Sequence, residues 1–234
     1  MRPGSRWRTG EFYIFVIDVK GFCFVHEDTS LLQKNISDLR DPNGKSIIQW
    51  FIRKALGPSQ AGWTHYRWVR PGETDTAWKT TYTKLANAPS GAVYIVGAGL
   101  YDMKMEKVFA VEAVDDAVIL IRQMGPRAFP ILRDKSSEFV YKDTYLFVVD
   151  SSYLVLVDPP FPGEEGHNVY DYTDVNGKFF FREFFRVAGE SGSGWVEYDW
   201  PKPGKASPSK KVSYVRKVTS RGMVYLVGTG IYLD

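Results

Sequence analysis

The chain contains a stretch in which apolar and acidic residues alternate, and this period of two predicts a β-strand. The stretch reads VEYDW and covers 196–200. A loop rich in Pro, Gly, Ser and Lys follows at 201–209, as expected for a connection between strands. A β-rich segment at 210–218 and an apolar segment at 225–232 come next. The pattern therefore predicts three consecutive strands.

The same order of patterns occurs once before. It comprises GWTHYRW at 62–68, a loop at 69–77, WKTTY at 78–82 and YIVGAGLY at 94–101. The shift between the copies is 132 residues from Gly62 to Gly194 and 131 residues from Tyr94 to Tyr225. A solenoid repeat has a period of roughly 50 residues at most, so this period indicates two copies of one domain.

Two further strands are predicted at the start of each copy. The segments EFYIFVID at 11–18 and YLFVVD at 145–150 are apolar on both faces, which is typical of a sheet covered on both sides. Each is followed by a turn and a second strand, at 22–26 and 153–158. In this alignment His26 corresponds to Asp158.

An amphipathic helix is predicted next in each copy, after a D-x-N-G-K segment. We interpret this segment as a turn rather than a calcium-binding loop, because the glutamate ligand of such a loop is missing. The matched apolar positions follow the spacing i, i+1, i+4, i+5, i+8: Ile47, Ile48, Phe51, Ile52, Ala55 and Phe180, Phe181, Phe184, Phe185, Ala188. Another helix is predicted at 102–123, ended by Gly125-Pro126. Its valines can pack on the sheet of the second copy.

Composition narrows the class of protein. The 234 residues are 44% hydrophobic and 24% charged, as in folded globular proteins. The net charge of +3 is too small to indicate nucleic-acid binding. Cys23 is the only cysteine, so no internal disulfide forms, and its apolar neighbours favour a buried thiol. The N-terminus lacks a signal-peptide core and no segment approaches the ~20 apolar residues of a membrane helix, so we expect a soluble chain.

The ordered motifs resemble the tandem Cache-type sensor domains of bacterial and archaeal receptors, which have a PAS-like fold. The motifs are YIFVID and YLFVVD, the D-x-N-G-K turns, G-W-x-x-Y-x-W, W-x-[RK]-P-G, K-x-[TS]-Y and V-G-x-G-[IL]-Y. The resemblance implies an α/β (α+β) fold of two modules, each a roughly five-stranded antiparallel sheet flanked by helices. We place the first module at 1–101, without its leading helix, and the second at 102–234, with 102–123 as its leading helix.

Signs of catalysis or of a cofactor site are weak. The three histidines lack metal-binding spacing, and GESGSG at 189–194 does not fit the G-x-S-x-G nucleophile elbow. Gly97-x-Gly99 and Gly228-x-Gly230 lack the third glycine of a dinucleotide loop and lie inside predicted strands, where glycine permits close packing or a bulge. We therefore expect no enzyme, no cofactor and no metal.

Two lysines in half-buried strands are candidates for ligand binding. A lysine there must be paired, must extend to solvent or must bind something, and a carboxylate would satisfy it through a charge-assisted hydrogen bond. Aromatic rings near them could form a small pocket. The candidate ligand-binding residues are Phe15, His26, Tyr66, Lys79, Tyr82, Phe147, Tyr198, Lys211 and Tyr214. The alternative is that the rings are ordinary core and the lysines lie on a solvated edge.

The resemblance implies an extracytoplasmic sensor, periplasmic or extracellular, that binds a small organic acid and signals through a membrane segment absent from this chain. The first module is the expected binder, because His26 can donate to an anion while Asp158 repels it. The alternatives are a scaffold or dimerisation module, or a soluble solute-binding protein without signalling output. A homodimer is left open, and no nucleic-acid partner is expected.

Overall fold

The chain folds into two compact units, Met1–Lys104 and Met105–Asp234, each built around its own antiparallel sheet. The computed structural model describes residues 7–233. Both units combine one sheet with few helices, which confirms the predicted α+β class of a PAS-like sensor fold.

The first unit has a sheet in the order β1-β2-β6-β5-β4, and β3 also pairs with β2, at Val16 and Ile17. All of these pairings are antiparallel. The elements are β1 (Arg8–Thr9), β2 (Phe12–Asp18), β3 (Cys23–Val25), a 3-10 turn (Thr29–Leu31), α1 (Ile47–Leu56), β4 (Ala61–Val69), β5 (Thr76–Asn87) and β6 (Val93–Tyr101).

The second unit repeats this topology in the order β8-β7-β11-β10-β9. Its elements are α2 (Lys107–Met124), a 3-10 turn (Gly125–Ala128), α3 (Phe129–Arg133), β7 (Leu146–Asp150), β8 (Val155–Val157), a 3-10 turn (Pro162–Glu164), α4 (Phe180–Ser191), β9 (Ser193–Pro201), β10 (Pro208–Ser220) and β11 (Met223–Tyr232). The strands β2 and β7 hold equivalent inner positions, so the predicted equivalence of YIFVID and YLFVVD is confirmed.

The helices α1 and α4 pack on equivalent faces of the two sheets, as their shared spacing predicts. Phe51 of α1 stacks on Phe15 of β2 with ring centroids 5.1 Å apart. Phe184 of α4 stacks in the same way on Phe147 of β7, at 5.6 Å. Each helix thus closes one side of its sheet with an aromatic core.

The helix α2 packs across β10 and β11 on the other face of the second sheet, as predicted. Its buried stripe includes Val114, Val118 and Ile121, in one core with Val148 and Val227. The predicted start at 102 is five residues too early, because the helix begins at 107. Within 7–233 no helix has the length and apolarity to cross a bilayer.

The D-x-N-G-K segments are turns, as interpreted from the sequence. One oxygen of the Asp41 carboxylate accepts from the backbone N–H groups of Asn43 and Lys45 at 2.8 and 2.9 Å. The other accepts from the backbone of Arg67 on β4 at 2.9 Å. Asp174 repeats the arrangement in the second unit. The aspartate therefore fixes the chain before the helix to the strand that follows it.

Candidate functional site

The glycines of the V-G-x-G segment shape the floor of the site. Gly97 of β6 faces Phe15 of β2, and a Cβ at Gly97 would lie 2.2 Å from Cζ of the Phe15 ring. At Gly99 a Cβ would lie 2.9 Å from Cε of Lys79. Gly228 and Gly230 have the same relations to Phe147 and Lys211. The glycines thus permit close packing, as predicted, and let a ring and a lysine stem lie across the sheet.

Lys79 of β5 is the buried cation of the first unit. The side chain is fully buried, and its ammonium nitrogen makes no hydrogen bond. The nitrogen lies 3.7 Å from the ring centroid of Tyr13 and 4.9 Å from that of Tyr101. Burial lowers the pKa of Lys79 to about 7, because the low-dielectric surroundings disfavour the charged form. The two aromatic faces replace only part of the hydration that the ammonium loses on burial, so the ammonium could still bind an anion.

His26 lies directly after β3 and is 8% exposed. Its Nδ1 accepts a hydrogen bond of 2.9 Å from the backbone N–H of Asp28. In the neutral ring the proton is therefore on Nε2, which is a donor. Burial, assisted by the charge of Lys79, lowers the pKa of His26 to about 4. At neutral pH this histidine offers a hydrogen bond and no charge.

An apolar cavity lies between the sheet and α1 in the first unit. Its volume of about 20 Å³ is close to what one water molecule needs. A wider groove of about 330 Å³ shares His26 and Trp68 with it and also contacts Tyr13 and Arg70. The cavity is lined by Phe15, His26, Ile36, Leu39, Ile47, Ile48, Phe51, Tyr66 and Trp68. Lys79 lies behind Tyr13 rather than on either surface, but its charge acts on His26.

The second unit contains the equivalent lysine with different neighbours. Lys211 of β10 is 1% exposed and donates a hydrogen bond of 2.9 Å to the hydroxyl of Tyr145. The carboxylate of Asp158, which follows β8, interacts electrostatically with this ammonium. Burial lowers the pKa of Lys211 and raises the pKa of Asp158, and the attraction between the two opposes both changes. The two charges compensate each other inside the unit.

Aromatic rings fill the space beside this pair. Phe180 of α4 stacks on Tyr198 with centroids 4.5 Å apart and planes at 11°, at the position where the first unit has Ile47. Phe161 lies 6.0 Å from Tyr145 and 5.9 Å from Trp200. The second unit thus packs large rings where the first has smaller side chains.

The structure brings together most of the residues predicted to bind a ligand. In the first unit these are Phe15, His26, Tyr66 and Lys79, and in the second they are Phe147, Tyr198 and Lys211, with Asp158 beside them. Tyr82 and Tyr214 do not join them. Tyr82 is 40% exposed and stacks with Trp63, and Tyr214 stacks with Trp195. Both tyrosines follow the lysine by three residues, and an odd separation in a strand puts two side chains on opposite faces.

Three pairs of aromatic residues in the sites were missed. They are Tyr13 and Tyr145, Trp68 and Trp200, and Tyr101 and Tyr232. Alternation along the strand predicts the first two pairs, because residues separated by two positions lie on the same face. Tyr13 lies two residues before Phe15, and Trp68 lies two residues after Tyr66. Tyr101 faces Lys79 across the β5–β6 ladder, a register that no short sequence signal gives.

Two family models match the chain. The model described as "Single Cache domain 2" matches residues 103–234, and the model described as "Cache domain" matches residues 3–116. Together they cover both units. Cache domains are extracytoplasmic sensor regions of chemoreceptors.

Individual proteins are also similar. The methyl-accepting chemotaxis protein McpP of Pseudomonas putida is 29% identical over 92 residues, which are 39% of this chain and 16% of that protein. A periplasmic sensor domain of a chemotaxis protein is 32% identical, with a TM-score of 0.45 over 53% of this chain and 90% of that one. A Cache chemosensory domain solved for carboxylic acid recognition is 25% identical, with a TM-score of 0.47 over 53% and 91%. The chain thus spans about a sixth of the length of its curated relative.

Proposed function

Because this chain belongs to the Cache family of sensor domains, we propose that it is the ligand-binding part of an extracytoplasmic receptor and that its first module binds a small organic acid. We set the modules at 1–101 and 102–234. The chain carries no catalytic role in this proposal. The signal passes to a membrane-linked output outside this chain, as befits a relative of a methyl-accepting chemotaxis protein.

The observation that carries the proposal is the ammonium of Lys79, which is fully buried and makes no hydrogen bond. Taking a cation out of water without an acceptor is costly, and the fold bears that cost at a site that already holds a donor, His26. A carboxylate entering beside Lys79 would supply both the missing acceptor and the missing charge. Such a charge-assisted hydrogen bond is shorter and roughly twice as strong as a neutral one.

The charges and the size of the site define the ligand class. Lys79 brings one positive charge in its protonated form, which its pKa of about 7 keeps accessible, and His26 is neutral because its pKa is lowered to about 4. One charge matches one carboxylate, with the Nε2–H of His26 as a second donor. The cavity behind Trp68 is apolar and close to the volume of a single water. We therefore propose a short monocarboxylate whose tail contacts Phe15 and Tyr66.

A thermal-shift panel followed by calorimetry tests this function. The panel contains acetate, propionate, pyruvate, lactate and amino acids, and a true ligand at 100 times its Kd should add ~2.7 kcal/mol of stability. We expect Lys79→Met to weaken binding of the best acid by about 1.5–3 kcal/mol, the range for a hydrogen bond to a charged group.

The matched control is Lys211→Met, which removes the equivalent lysine from the second module and should change the affinity little. An unchanged affinity in Lys79→Met with a large loss in Lys211→Met would move the site to the second module. No response to any acid would instead favour a scaffold or dimerisation module.

A further inference from the structure

The second module contains a buried carboxyl group, that of Asp158, at the position where the first module has a neutral histidine. We propose that the Asp158 carboxylate takes the part of the organic acid in the second module, so that this site is neutralised from within and binds no external ligand. The inference rests on the proposed function only in treating the buried strand lysine as the anchor for a carboxylate.

The position of Asp158 supports this assignment. The residue follows β8 as His26 follows β3, and both are 8% exposed. Its charge acts on Lys211, on Tyr145 and on Tyr198, which surround the site. One of its oxygens, Oδ1, is buried and makes no hydrogen bond. Burial, with the charges of Glu164 and Glu165, raises the pKa of this carboxyl group to about 7, and the attraction of Lys211 opposes that rise.

The hydrogen bonds around the two lysines differ in the way this assignment requires. Lys79 has no hydrogen-bond acceptor, whereas Lys211 donates to the hydroxyl of Tyr145 at 2.9 Å. The ammonium of the second module therefore has both an acceptor and a counter-charge before any ligand arrives. The ammonium of the first module has neither, apart from the faces of two rings.

The packing also removes the space for an apolar ligand tail. Phe180 replaces Ile47 and stacks flat on Tyr198, while Phe161 lies between Tyr145 and Trp200. An external acid would have to displace these rings and bring a second negative charge next to Asp158. Both the charge and the volume of the ligand are thus already present within the chain.

A consequence is that removing the Asp158 side chain should create a carboxylate site. The Asp158→Ala variant removes the first of the two carboxylates whose charge acts on Lys211, leaving only that of Asp143. It also opens a space of about the size of the removed carboxyl group. Formate is the smallest carboxylate that fits this description, and acetate is the next. The Asp158→Asn variant is the matched control, because it removes the charge but keeps the space filled.

The test is carried out in the full chain with Lys79→Met, so that a response of the first module does not interfere. We expect sodium formate to raise the thermal midpoint of Lys79→Met/Asp158→Ala by several degrees in a saturable manner, relative to sodium chloride at equal ionic strength. Lys79→Met alone and Lys79→Met/Asp158→Asn should show no such shift. A folded Asp158→Ala variant that ignores formate and acetate would overturn the proposal, as would a saturable response in Lys79→Met alone.

A double-mutant cycle decides the question if Asp158→Ala does not fold. We expect Asp158→Asn and Lys211→Met each to lower the midpoint, and the double variant to lower it by less than the two losses together, because it leaves no unpaired charge. Additive losses would overturn the proposal. If the function proposed for the first module is wrong, wild type will respond to no acid, while the double-mutant cycle will still show coupling between Asp158 and Lys211.

Discussion

The two buried lysines have different partners, since Lys79 makes no hydrogen bond while Lys211 donates to the Tyr145 hydroxyl. Both lie on inward-facing positions of equivalent strands, and both stems pass over a glycine of the neighbouring strand. What differs is the residue after the second strand, neutral His26 or charged Asp158. In our proposal this position, together with the Tyr145 hydroxyl that accepts from Lys211, makes the difference between the two ammonium groups.

The affinity of the first module for a carboxylate should depend on pH through Lys79. The free side chain has a pKa lowered to about 7, and only its protonated form attracts the anion. Binding should therefore be insensitive to pH below about 7 and should weaken up to tenfold per unit above it, because each binding event must then take up a proton. His26 does not titrate in this range, since its pKa is about 4.

Calorimetry between about pH 6 and pH 9 checks this prediction, with two buffers of different ionisation enthalpy to count the protons taken up. The residual binding of Lys79→Met should not change with pH in the same range. An affinity of wild type that stays constant up to pH 9 would show that Lys79 does not carry the interaction.

Residues placed by alternation within a strand follow from the sequence, whereas residues placed by strand register do not. Alternation within a strand places Phe15 and Tyr66 in the site, and the internal alignment pairs His26 with Asp158. The same alternation excludes Tyr82, since it lies three residues after Lys79. The contacts between Lys79 and Tyr101 depend on strand register, which is set by pairing over the whole sheet and not by a local pattern.

Among the elements, the sequence predicts the helices with a strong apolar stripe and the end of α2 to within one residue, but not the start of α2. The spacing shared by α1 and α4 corresponds to two helices on equivalent sheet faces. The start of α2 differs because 102–106 is not helical, with Asp102 in the left-handed region at φ 51° and Glu106 extended. The N-cap, Glu106, makes no side-chain capping hydrogen bond. Without a capping side chain the sequence holds no marker for the first turn.

The packing of α2 leads to a prediction about stability. Val118 is 1% exposed and lies in the core between α2 and the second sheet. Val118→Asp should lower the free energy of unfolding by about 3–5 kcal/mol, because it buries a charge without a partner. Urea unfolding followed by tryptophan fluorescence measures the loss. The neighbouring Ile119 is 38% exposed, so Ile119→Asp should cost far less and controls for helix propensity. Equal stability of Val118→Asp and wild type would contradict the packing.

For the whole molecule, the internal repeat was predictable because its motifs recur in order at a nearly constant shift. The difference between the two sites is harder to predict from the sequence. Phe180 occupies a position that the helix alignment matches to Ile47, so the larger ring could be read from the sequence. Phe161 comes from the irregular segment after β8, where no periodic pattern aligns the copies, and only the folded chain brings it to Tyr145.

The cores of the two units predict how they unfold. The second unit buries apolar residues on both faces of its sheet, under α2 on one side and under α4 on the other. The core of the first unit lies between its sheet and α1, while Tyr82 and Leu100 on the other face are 40% and 48% exposed. We therefore expect the fragment 102–234 to fold alone and to unfold cooperatively, because an independent core is what a domain needs.

Scanning calorimetry of the full chain should then show two transitions, one of which matches the isolated 102–234 fragment. A short monocarboxylate should raise only the other transition, since Lys79 belongs to the first module and the second is neutralised by Asp158. Binding to the native state alone raises a transition in proportion to the logarithm of ligand concentration, so the shift identifies the binding module without any substitution. A fragment that melts without cooperativity would contradict the module boundary. A fragment transition that rises with the acid would contradict the assignment of the site to the first module.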